Sequence, residues 1–239
     1  MNCRGVVLAM VLGTACGLPA RDGAEQAPHN RYAGQRERMV TEQLAGRDIR
    51  APRVLEAMRR VPRHLFVPMP QRLSAYEDFP LPIGRGQTIS QPYIVAYMTQ
   101  ALELEPTDKV LEVGTGSGYQ AAVLGALAAE VYTIEIVGRL AERAKAALAR
   151  AGYANVHVRH GDGYEGWPEH APFDAIMVTA APDHVPPPLI RQLAVGGRMI
   201  IPVGTGYQEL RLLEKTDEAV VERSTIPVRF VPLTRERRR

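Results

Sequence analysis

The sequence predicts an α/β fold that is doubly wound: a mostly parallel sheet with an antiparallel edge, preceded by a helical N-terminal section. Two observations predict it. From residue 107 onward, short runs rich in Val and Ile alternate with helical patterns, which is typical of parallel strands joined by crossover helices. Nearer the C-terminus, two runs of alternating polarity follow each other with no helical pattern between them, which indicates an antiparallel pair at the sheet edge.

Residues 31–106 are predicted to form the helical, substrate-side front of a single domain over 31–239. The spacing of apolar residues predicts helices over Tyr32–Ile49 and Pro52–Arg60, the second opening on a proline that suits a first helical turn. Prolines interrupt the next two segments, up to Gly84. We expect these segments to be irregular and to fold over another part of the chain.

Residues 107–234 form the predicted core, followed by a basic tail over 235–239. Its alternating strands and helices imply right-handed crossovers and a sheet covered on both faces. The predicted strands are Lys109–Val113, Val131–Ile136, Val156–Arg159, Asp174–Thr179, Arg198–Val203, Glu209–Glu214 and Val220–Ile226. The predicted helices are Tyr119–Ala129, Val137–Ala151 and Pro187–Leu193.

Length and composition exclude several classes of protein. With 239 residues, 46% of them hydrophobic and 23% charged, the chain can bury one sizeable core and is not mainly disordered. The net charge of +3 is too small to demand a nucleic-acid or membrane partner. Both cysteines, Cys3 and Cys16, precede residue 20, so the rest of the chain has no disulfide, zinc thiolate or thiol nucleophile.

The first 30 residues are predicted to lie outside the domain, as a signal-like or disordered extension. Arg4 precedes the apolar run Val6–Leu12, and small residues follow, which is the order of an export signal. Cys16 follows a loosely lipoprotein-like sequence. The run is too short to span a membrane. An extension produced by an upstream start codon fits the same residues.

A glycine-rich loop follows the first predicted strand of the core. Three glycines at alternate positions occupy Gly114–Gly118, and a helix is predicted to begin directly after them. Glycine lets the backbone turn sharply and approach a ligand closely. The last position of the dinucleotide-binding fingerprint is Tyr119 rather than glycine, which argues against a pyrophosphate site. Taken alone, the loop also fits a tight strand–helix turn without a ligand.

Acidic residues follow the next two predicted strands. Glu135 lies 17 positions after Gly118, and Asp162 lies between two glycines of a His-Gly-Asp-Gly sequence. The carboxyl ends of parallel strands meet at one edge of a sheet, and an acidic residue there can accept hydrogen bonds from ribose hydroxyls. Each residue alone also fits a surface or turn role. Together with the glycine loop, they predict a nucleoside-binding site.

These residues resemble the class I S-adenosylmethionine-dependent methyltransferases. The resemblance narrows to the protein-L-isoaspartate (D-aspartate) O-methyltransferase family at Leu81–Pro92, which reads LPIGRGQTISQP. It covers about residues 35–233, and the Thr-Ile-Ser-Gln-Pro segment is specific to that family, whereas many methyltransferases share the glycine loop. Other agreeing segments are Val61–Arg63, Phe173–Ile176, Thr179–Pro182 and Val228–Leu233. The first 30 or so residues depart from the family pattern.

The resemblance implies a Rossmann-like methyltransferase fold and a carboxyl-methylating enzyme. Such an enzyme transfers methyl from S-adenosyl-L-methionine to the free α-carboxylate of L-isoaspartyl and D-aspartyl residues in damaged proteins. The ester then collapses to a succinimide, which starts repair. Because a carboxylate is already ionised at neutral pH, no general base is required. This fits a chain without a compelling Ser-His-Asp pattern.

The resemblance also assigns site residues. Ser90 is the implied catalytic residue, with a hydroxyl that donates a hydrogen bond to the substrate carboxylate, although it also fits a helix cap before Pro92. The implied substrate-binding residues are Thr88, Ile89 and Gln91. The implied cofactor-binding residues are Gly114, Thr115, Gly116 and Gly118 under the methionine part, Glu135 at the ribose, and Asp162 and Gly163 at the adenine.

The implied partners are isoaspartyl-containing proteins and peptides. The resemblance implies a cytoplasmic enzyme. Because the histidines have no partners at metal-ligand spacing, we expect no metal. We also expect no nucleic-acid partner and a monomer. A periplasmic or lipid-anchored protein is the alternative, if residues 1–20 are a working signal and Cys16 is lipidated. The role of His64, the preferred peptide context and D-aspartyl activity stay open.

Three other functions stay open from the residues alone. A small-molecule carboxyl methyltransferase would share the cofactor site, and only Ile83–Pro92 argues against it. An exported, non-catalytic peptide-binding module fits a compartment with little S-adenosylmethionine. Such a protein should have lost some of its cofactor-binding residues, however, and this sequence retains them. Nucleic-acid methylation is poorly supported by the short Arg-rich tail.

Overall fold

A computed structural model describes Met1 and residues 31–235 of the chain. The signal-like segment, Cys16 and the tail beyond Arg235 therefore lie outside the described residues, and the predictions made for them stay predictions.

The described part contains nine strands and six α-helices. The strands are β1 Leu81–Gly84, β2 Gln87–Ile89, β3 Lys109–Val113, β4 Glu130–Glu135, β5 Val156–His160, β6 Phe173–Val178, β7 Leu193–Val203, β8 Gln208–Lys215 and β9 Val220–Val228. The helices are α1 Ala33–Arg38, α2 Pro52–Arg60, α3 Pro92–Ala101, α4 Tyr119–Gly125, α5 Gly138–Arg150 and α6 Pro187–Gln192. A wider π-type turn over Met39–Ala45 continues α1. Short 3-10 turns cover Arg63–Leu65, Met69–Ser74, Gly163–Glu165 and Pro168–His170.

Seven strands form one sheet in the order β5-β4-β3-β6-β7-β8-β9. The first five run parallel to one another, β8 pairs antiparallel with β7, and β9 pairs antiparallel with β8 at the edge. The chain runs from β3 outward to β5 and then returns to β6 on the other side, so the topological switch point lies between β3 and β6. The predicted doubly wound fold with an antiparallel edge is confirmed.

The sheet separates two buried apolar clusters. On β3, Val110 belongs to one cluster and Leu111 to the other, as expected for side chains that alternate between the two faces of a strand. The first cluster also includes Met39, Met58 and Leu44 from the front section. The front section therefore packs against the core through continuous apolar contacts.

Several element boundaries differ from the prediction. The first helical stretch ends at Ala45 rather than Ile49. Helix α4 ends at Gly125 rather than Ala129, because the Asn155 side-chain amide donates to the carbonyls of Gly125 and Ala128 at 2.9 and 3.2 Å and closes the helix end. Strand β7 begins at Leu193, five residues before the predicted start.

The segment before Ser90 is a hairpin rather than irregular chain. Strands β1 and β2 pair antiparallel, and the two residues between them, Arg85 and Gly86, have φ angles of +58° and +72°. Two successive positive φ angles define the type I′ turn that favours tight hairpins. The hairpin gives Thr88–Ser90 a fixed strand-end position.

In the described part of the chain, no helix is both long and apolar enough to cross a membrane.

Candidate functional site

A cleft of about 770 Å³, partly open to solvent, lies at the carboxyl ends of β3, β4 and β6. This edge of the sheet is the switch point, where open α/β sheets bind ligands. The glycine loop forms its floor, the end of the β1–β2 hairpin forms one wall, and the segment Val231–Thr234 forms another.

The glycine loop needs its glycines for two different reasons. Gly114 has a φ of +104°, and a Cβ there would overlap Thr179 Oγ1, which donates to the Gly114 carbonyl at 2.7 Å. Gly118 does not line the cleft. Its φ is +88°, and a Cβ there would lie 3.2 Å from the Leu148 side chain, so it lets the loop pack against α5. Gly116, with a φ of +53°, lines the cleft, and a Cβ there would lie 3.4 Å from the Ile83 side chain.

Glu135 is buried at the end of β4 and is held by two backbone amides. Its Oε2 accepts from the Gly116 N–H at 2.7 Å, and its Oε1 accepts from the Val137 N–H at 2.9 Å. Each carboxylate oxygen can accept a second hydrogen bond, so the cleft retains an acceptor pair suited to a diol. Among the described residues that line the cleft, Glu135 is the only charged side chain. The electrostatics therefore favour a cationic ligand.

A buried polar chain lies beneath the loop. The Thr115 and Thr133 hydroxyls are 2.7 Å apart, and Thr133 Oγ1 donates to Glu112 Oε2 at 2.5 Å. Glu112 is fully buried, and its Oε1 has no hydrogen-bond partner. Burial, and to a smaller extent the nearby charge of Glu135, raises the pKa of Glu112 to about 8. Glu112 is therefore mainly protonated and neutral at pH 7.

The predicted substrate-side residues lie on the opposite wall. Thr88, Ile89 and Ser90 line the cleft. Thr88 and Ser90 also line a second groove that opens between Gln91, Ile94 and the 227–232 segment. The N-cap residue of α3 is Gln91, so Ser90 does not occupy the helix-cap position. Ser90 stands where the cleft and the second groove meet.

Gln91 and Asp162 are placed differently from the other predicted site residues. Gln91 donates to Asp78 Oδ2 at 2.7 Å and lines only the second groove. Asp162 is not among the residues that line the cleft, and its Oδ1 accepts from the Tyr164 N–H at 2.9 Å. The neighbouring Gly163 does line it, and a Cβ there would overlap the Val113 side chain. Asp162 thus shapes the turn that presents Gly163.

Thr179 and the segment Val231–Thr234 line the cleft but were not predicted as site residues. The Ala181 N–H donates to the Val231 carbonyl, and the Leu233 N–H donates to the Ala181 carbonyl, both at 2.8 Å. Thr179–Pro182 and Val228–Leu233 resemble the family sequence, and that resemblance was the only sequence signal for these parts of the cleft.

None of the histidines in the described part of the chain lines the cleft. His64 is buried in the front section, stacks on Tyr32 with ring centroids 4.2 Å apart, and has its Nδ1 2.8 Å from the Tyr76 hydroxyl. His160 Nε2 lies 3.0 Å from the Ile136 carbonyl. In the described part of the chain, no group of three His, Cys, Asp or Glu residues could hold a metal ion.

Comparison with protein families gives one match over most of the chain. Residues 34–238 match the model of the family described as protein-L-isoaspartate(D-aspartate) O-methyltransferase. The chain is 62% identical over 201 residues to the protein-L-isoaspartate O-methyltransferase of Gloeobacter violaceus, covering 83% of this chain and 98% of the relative. It is 56% identical to the Synechococcus sp. protein of the same name, covering 91% and 92%.

Two solved structures are similar to most of the chain. One, described as a protein-L-isoaspartate O-methyltransferase, has a TM-score of 0.77 and 32% sequence identity. The match covers 82% of this chain but only 65% of the solved chain, slightly less than two thirds of its length. The other, from Plasmodium falciparum and described as a protein-L-isoaspartate O-methyltransferase in complex with S-adenosyl-L-homocysteine, has a TM-score of 0.75 and 25% identity. It covers 84% of this chain and 99% of that one.

Proposed function

The chain belongs to the protein-L-isoaspartate(D-aspartate) O-methyltransferase family and is an S-adenosylmethionine-dependent enzyme that methylates isoaspartyl residues in proteins, and we propose that the cleft at the switch point carries out this reaction with Ser90 at the acceptor. The observation that carries the proposal is the juxtaposition of Ser90 with Glu135 and the glycine loop around one cleft.

The residues of the cleft fit the cofactor. Glu135 offers two acceptor oxygens, already oriented by backbone amides, for the ribose hydroxyls. Gly116 contributes backbone to the floor, and its N–H holds the Glu135 carboxylate in place. The single negative charge of Glu135 complements the positive charge of a sulfonium compound, and a Lys or Arg in the lining would oppose it. When bound, S-adenosyl-L-methionine supplies an electrophilic methyl group on a sulfonium sulfur.

The protein residues orient the acceptor and exclude water. We place the isoaspartyl α-carboxylate at the junction of the cleft and the second groove, where the Ser90 Oγ–H donates to one of its oxygens and leaves the other free to take the methyl group. Ile89 is buried beside Ser90 and keeps this point dry. Because the carboxylate is already ionised, the enzyme contributes geometry rather than proton removal. Proximity of this kind lowers barriers by up to roughly 7–11 kcal/mol.

The second groove is the proposed path of the substrate chain. Thr88, Gln91 and Ile94 line it together with the 227–232 segment, and it opens directly from Ser90. A protein segment on both sides of the isoaspartyl residue requires an open groove, whereas a small carboxylic acid does not. The family match and the close relatives do not support the small-molecule enzyme, the non-catalytic exported module or the nucleic-acid methyltransferase.

We propose further that residues 31–239 act as one domain, since a single apolar cluster includes side chains of the front section and of the sheet. We propose a monomeric, cytoplasmic enzyme without nucleic-acid or membrane partners. Fractionation of cells that express the full chain tests its compartment. The protein should appear in the cytoplasmic fraction, whereas membrane-bound or periplasmic protein would support a working signal in residues 1–20.

The decisive experiment is methyl transfer from labelled S-adenosylmethionine to an isoaspartyl peptide, with the aspartyl peptide as control. Ser90→Ala should lower kcat about 10- to 100-fold, the value of one hydrogen bond to a charged group, while leaving the affinity for S-adenosylhomocysteine unchanged. Glu135→Gln should weaken that affinity at least about tenfold. Ser224→Ala, on the exposed edge strand, is the matched control. Equal labelling of both peptides, or no effect of Ser90→Ala, would refute the assignment.

A further inference from the structure

A second cavity lies on the other side of the glycine loop from the substrate groove. It has a volume of about 760 Å³, including space open to solvent, and lies between the 65–72 segment, strand β1 and helix α5. Three of its lining residues are Arg72, Arg143 and Arg150, and we call it the arginine groove.

Helix geometry sets two of the arginines along one wall. Arg143 and Arg150 are seven residues apart on α5, so they lie on the same face about 10 Å apart along the axis. The residues between them on that face are Ala146 and Ala147, which also line the groove. Two cationic side chains therefore flank a stretch of small side chains, which leaves space for a ligand between them. Arg72 contributes from the 65–72 segment.

The positive charge of the arginine groove is not neutralised. Among the described residues, no carboxylate forms an ion pair with Arg72, Arg143 or Arg150. No Asp or Glu lines the groove. The Arg72 Nε is buried and has no hydrogen-bond partner. Arg143 Nη1 donates to the Ile83 carbonyl at 3.2 Å, which restrains that side chain toward the hairpin.

The groove differs from the cofactor cleft in charge, although the two share Gly116 and Ser117. Glu135 makes the cleft negative, which suits a sulfonium cation, whereas three guanidinium groups repel one. Guanidinium groups match phosphate oxygens in geometry and bind them with two parallel hydrogen bonds. The remaining wall, formed by Leu65–Met69, is largely apolar and suits an organic portion.

We propose that the arginine groove is a binding site for a phosphate-bearing small molecule, with its phosphate groups on Arg143 and Arg150 and its organic portion against Leu65–Met69. The site is separate from the methyl-transfer reaction. Its ligand reaches the protein beside the outer surface of the glycine loop, next to Gly116 and Ser117.

Calorimetric titration of the full chain tests this proposal. The protein is first saturated with S-adenosylhomocysteine, so that the cofactor cleft is filled, and is then titrated with pyrophosphate, uridine diphosphate or uridine at constant ionic strength. Pyrophosphate and uridine diphosphate should bind with Kd values near or below about 1 mM, and uridine should bind at least about tenfold more weakly. Arg143→Gln and Arg150→Gln should each weaken uridine diphosphate about tenfold.

Arg139→Gln is the matched control, because Arg139 is an exposed arginine on α5 that does not line the groove. An equal loss in Arg139→Gln would show non-specific attraction and overturn the proposal. So would the absence of pyrophosphate and uridine diphosphate binding. If Arg143→Gln instead weakens S-adenosylhomocysteine while the phosphates do not bind, the groove serves the cofactor and the proposal fails.

Discussion

Replacing the buried acid Glu112 by glutamine should change how the stability of the protein depends on pH. The carboxyl group is fully buried beneath the glycine loop, and burial raises its pKa from an ordinary 4.5 to about 8. The folded protein therefore keeps a proton that the unfolded chain releases between these two values. It follows from linkage that this group destabilises the folded state progressively as the pH rises from about 4.5 to about 8, and no further above that.

The magnitude follows from one proton. Within the window, the free energy of unfolding falls by about 1.4 kcal/mol per pH unit, so the wild type loses about 2 to 3 kcal/mol between pH 5.5 and 7.5 from Glu112 alone. Glu112→Gln removes this contribution, because the amide does not titrate. Other groups titrate in both proteins, so the useful quantity is the difference in unfolding free energy between variant and wild type. That difference should move in favour of the variant by about 2 to 3 kcal/mol over the two units.

Urea unfolding at pH 5.5, 6.5 and 7.5, followed by circular dichroism, measures this difference. Glu142→Gln, an exposed position on α5, controls for the loss of a carboxylate as such and should show no comparable trend. If the curves of unfolding free energy against pH for wild type and Glu112→Gln run parallel, the carboxyl group is not protonated in the folded protein. The inference that Glu112 is neutral under the loop would then be wrong.

Three further substitutions test the packing of the loop and the core. Gly118→Ala should lower the free energy of unfolding by about 2 to 3 kcal/mol, because the residue has a positive φ and its new Cβ would crowd α5. Gly152→Ala, at φ +83° with open space around it, should lower it by only about 1 kcal/mol. Thermal unfolding measures both, and equal losses of stability would contradict the crowding at Gly118. Thr179→Val removes the hydroxyl that donates to the loop carbonyl and should weaken S-adenosylhomocysteine about three- to tenfold in calorimetry, with Thr179→Ser restoring it. Phe173→Ala, at a fully buried position, should cost about 3 to 5 kcal/mol in urea unfolding, and a loss below 1 kcal/mol would contradict its place in the core.

The sheet could be predicted from the sequence because its strands are short apolar runs with helical patterns between them. The ends of helices and strands were harder to predict where a side chain from a distant part of the sequence determines them. Helix α4 has alanines that favour a longer helix, and it stops at Gly125 because Asn155, thirty residues later, binds its terminal carbonyls. The hairpin before Ser90 was not predicted, because the prolines in this segment indicated irregular chain. A two-residue turn that ends in Gly86 is nevertheless a hairpin signal.

The site was predictable where chemistry and strand ends coincide. Glu135 and Gly114–Gly118 follow buried strands, so their convergence at one edge follows from parallel pairing. Thr179 also follows a strand, but a single threonine carries no distinctive signal for a site. The contribution of Val231–Thr234 depends on a long-range contact with Ala181 that no local pattern encodes. Asp162 was expected at the adenine, with a turn role as the alternative, and its Oδ1 accepts from the Tyr164 N–H two residues later, as an aspartate in a turn does.

The wall formed by Val231–Thr234 has a consequence for how the enzyme matures during synthesis. This segment follows every strand of the described sheet, so it leaves the ribosome after the residues that form the glycine loop and Glu135. A domain generally folds as one unit once its chain is available. The glycine loop and Glu135 alone therefore do not form the cleft, which is completed only when the last strands and this wall have also left the ribosome. Competence for methyl transfer should arrive only with the last of these residues, and protein released before residue 231 should be inactive because it lacks one wall of the cleft.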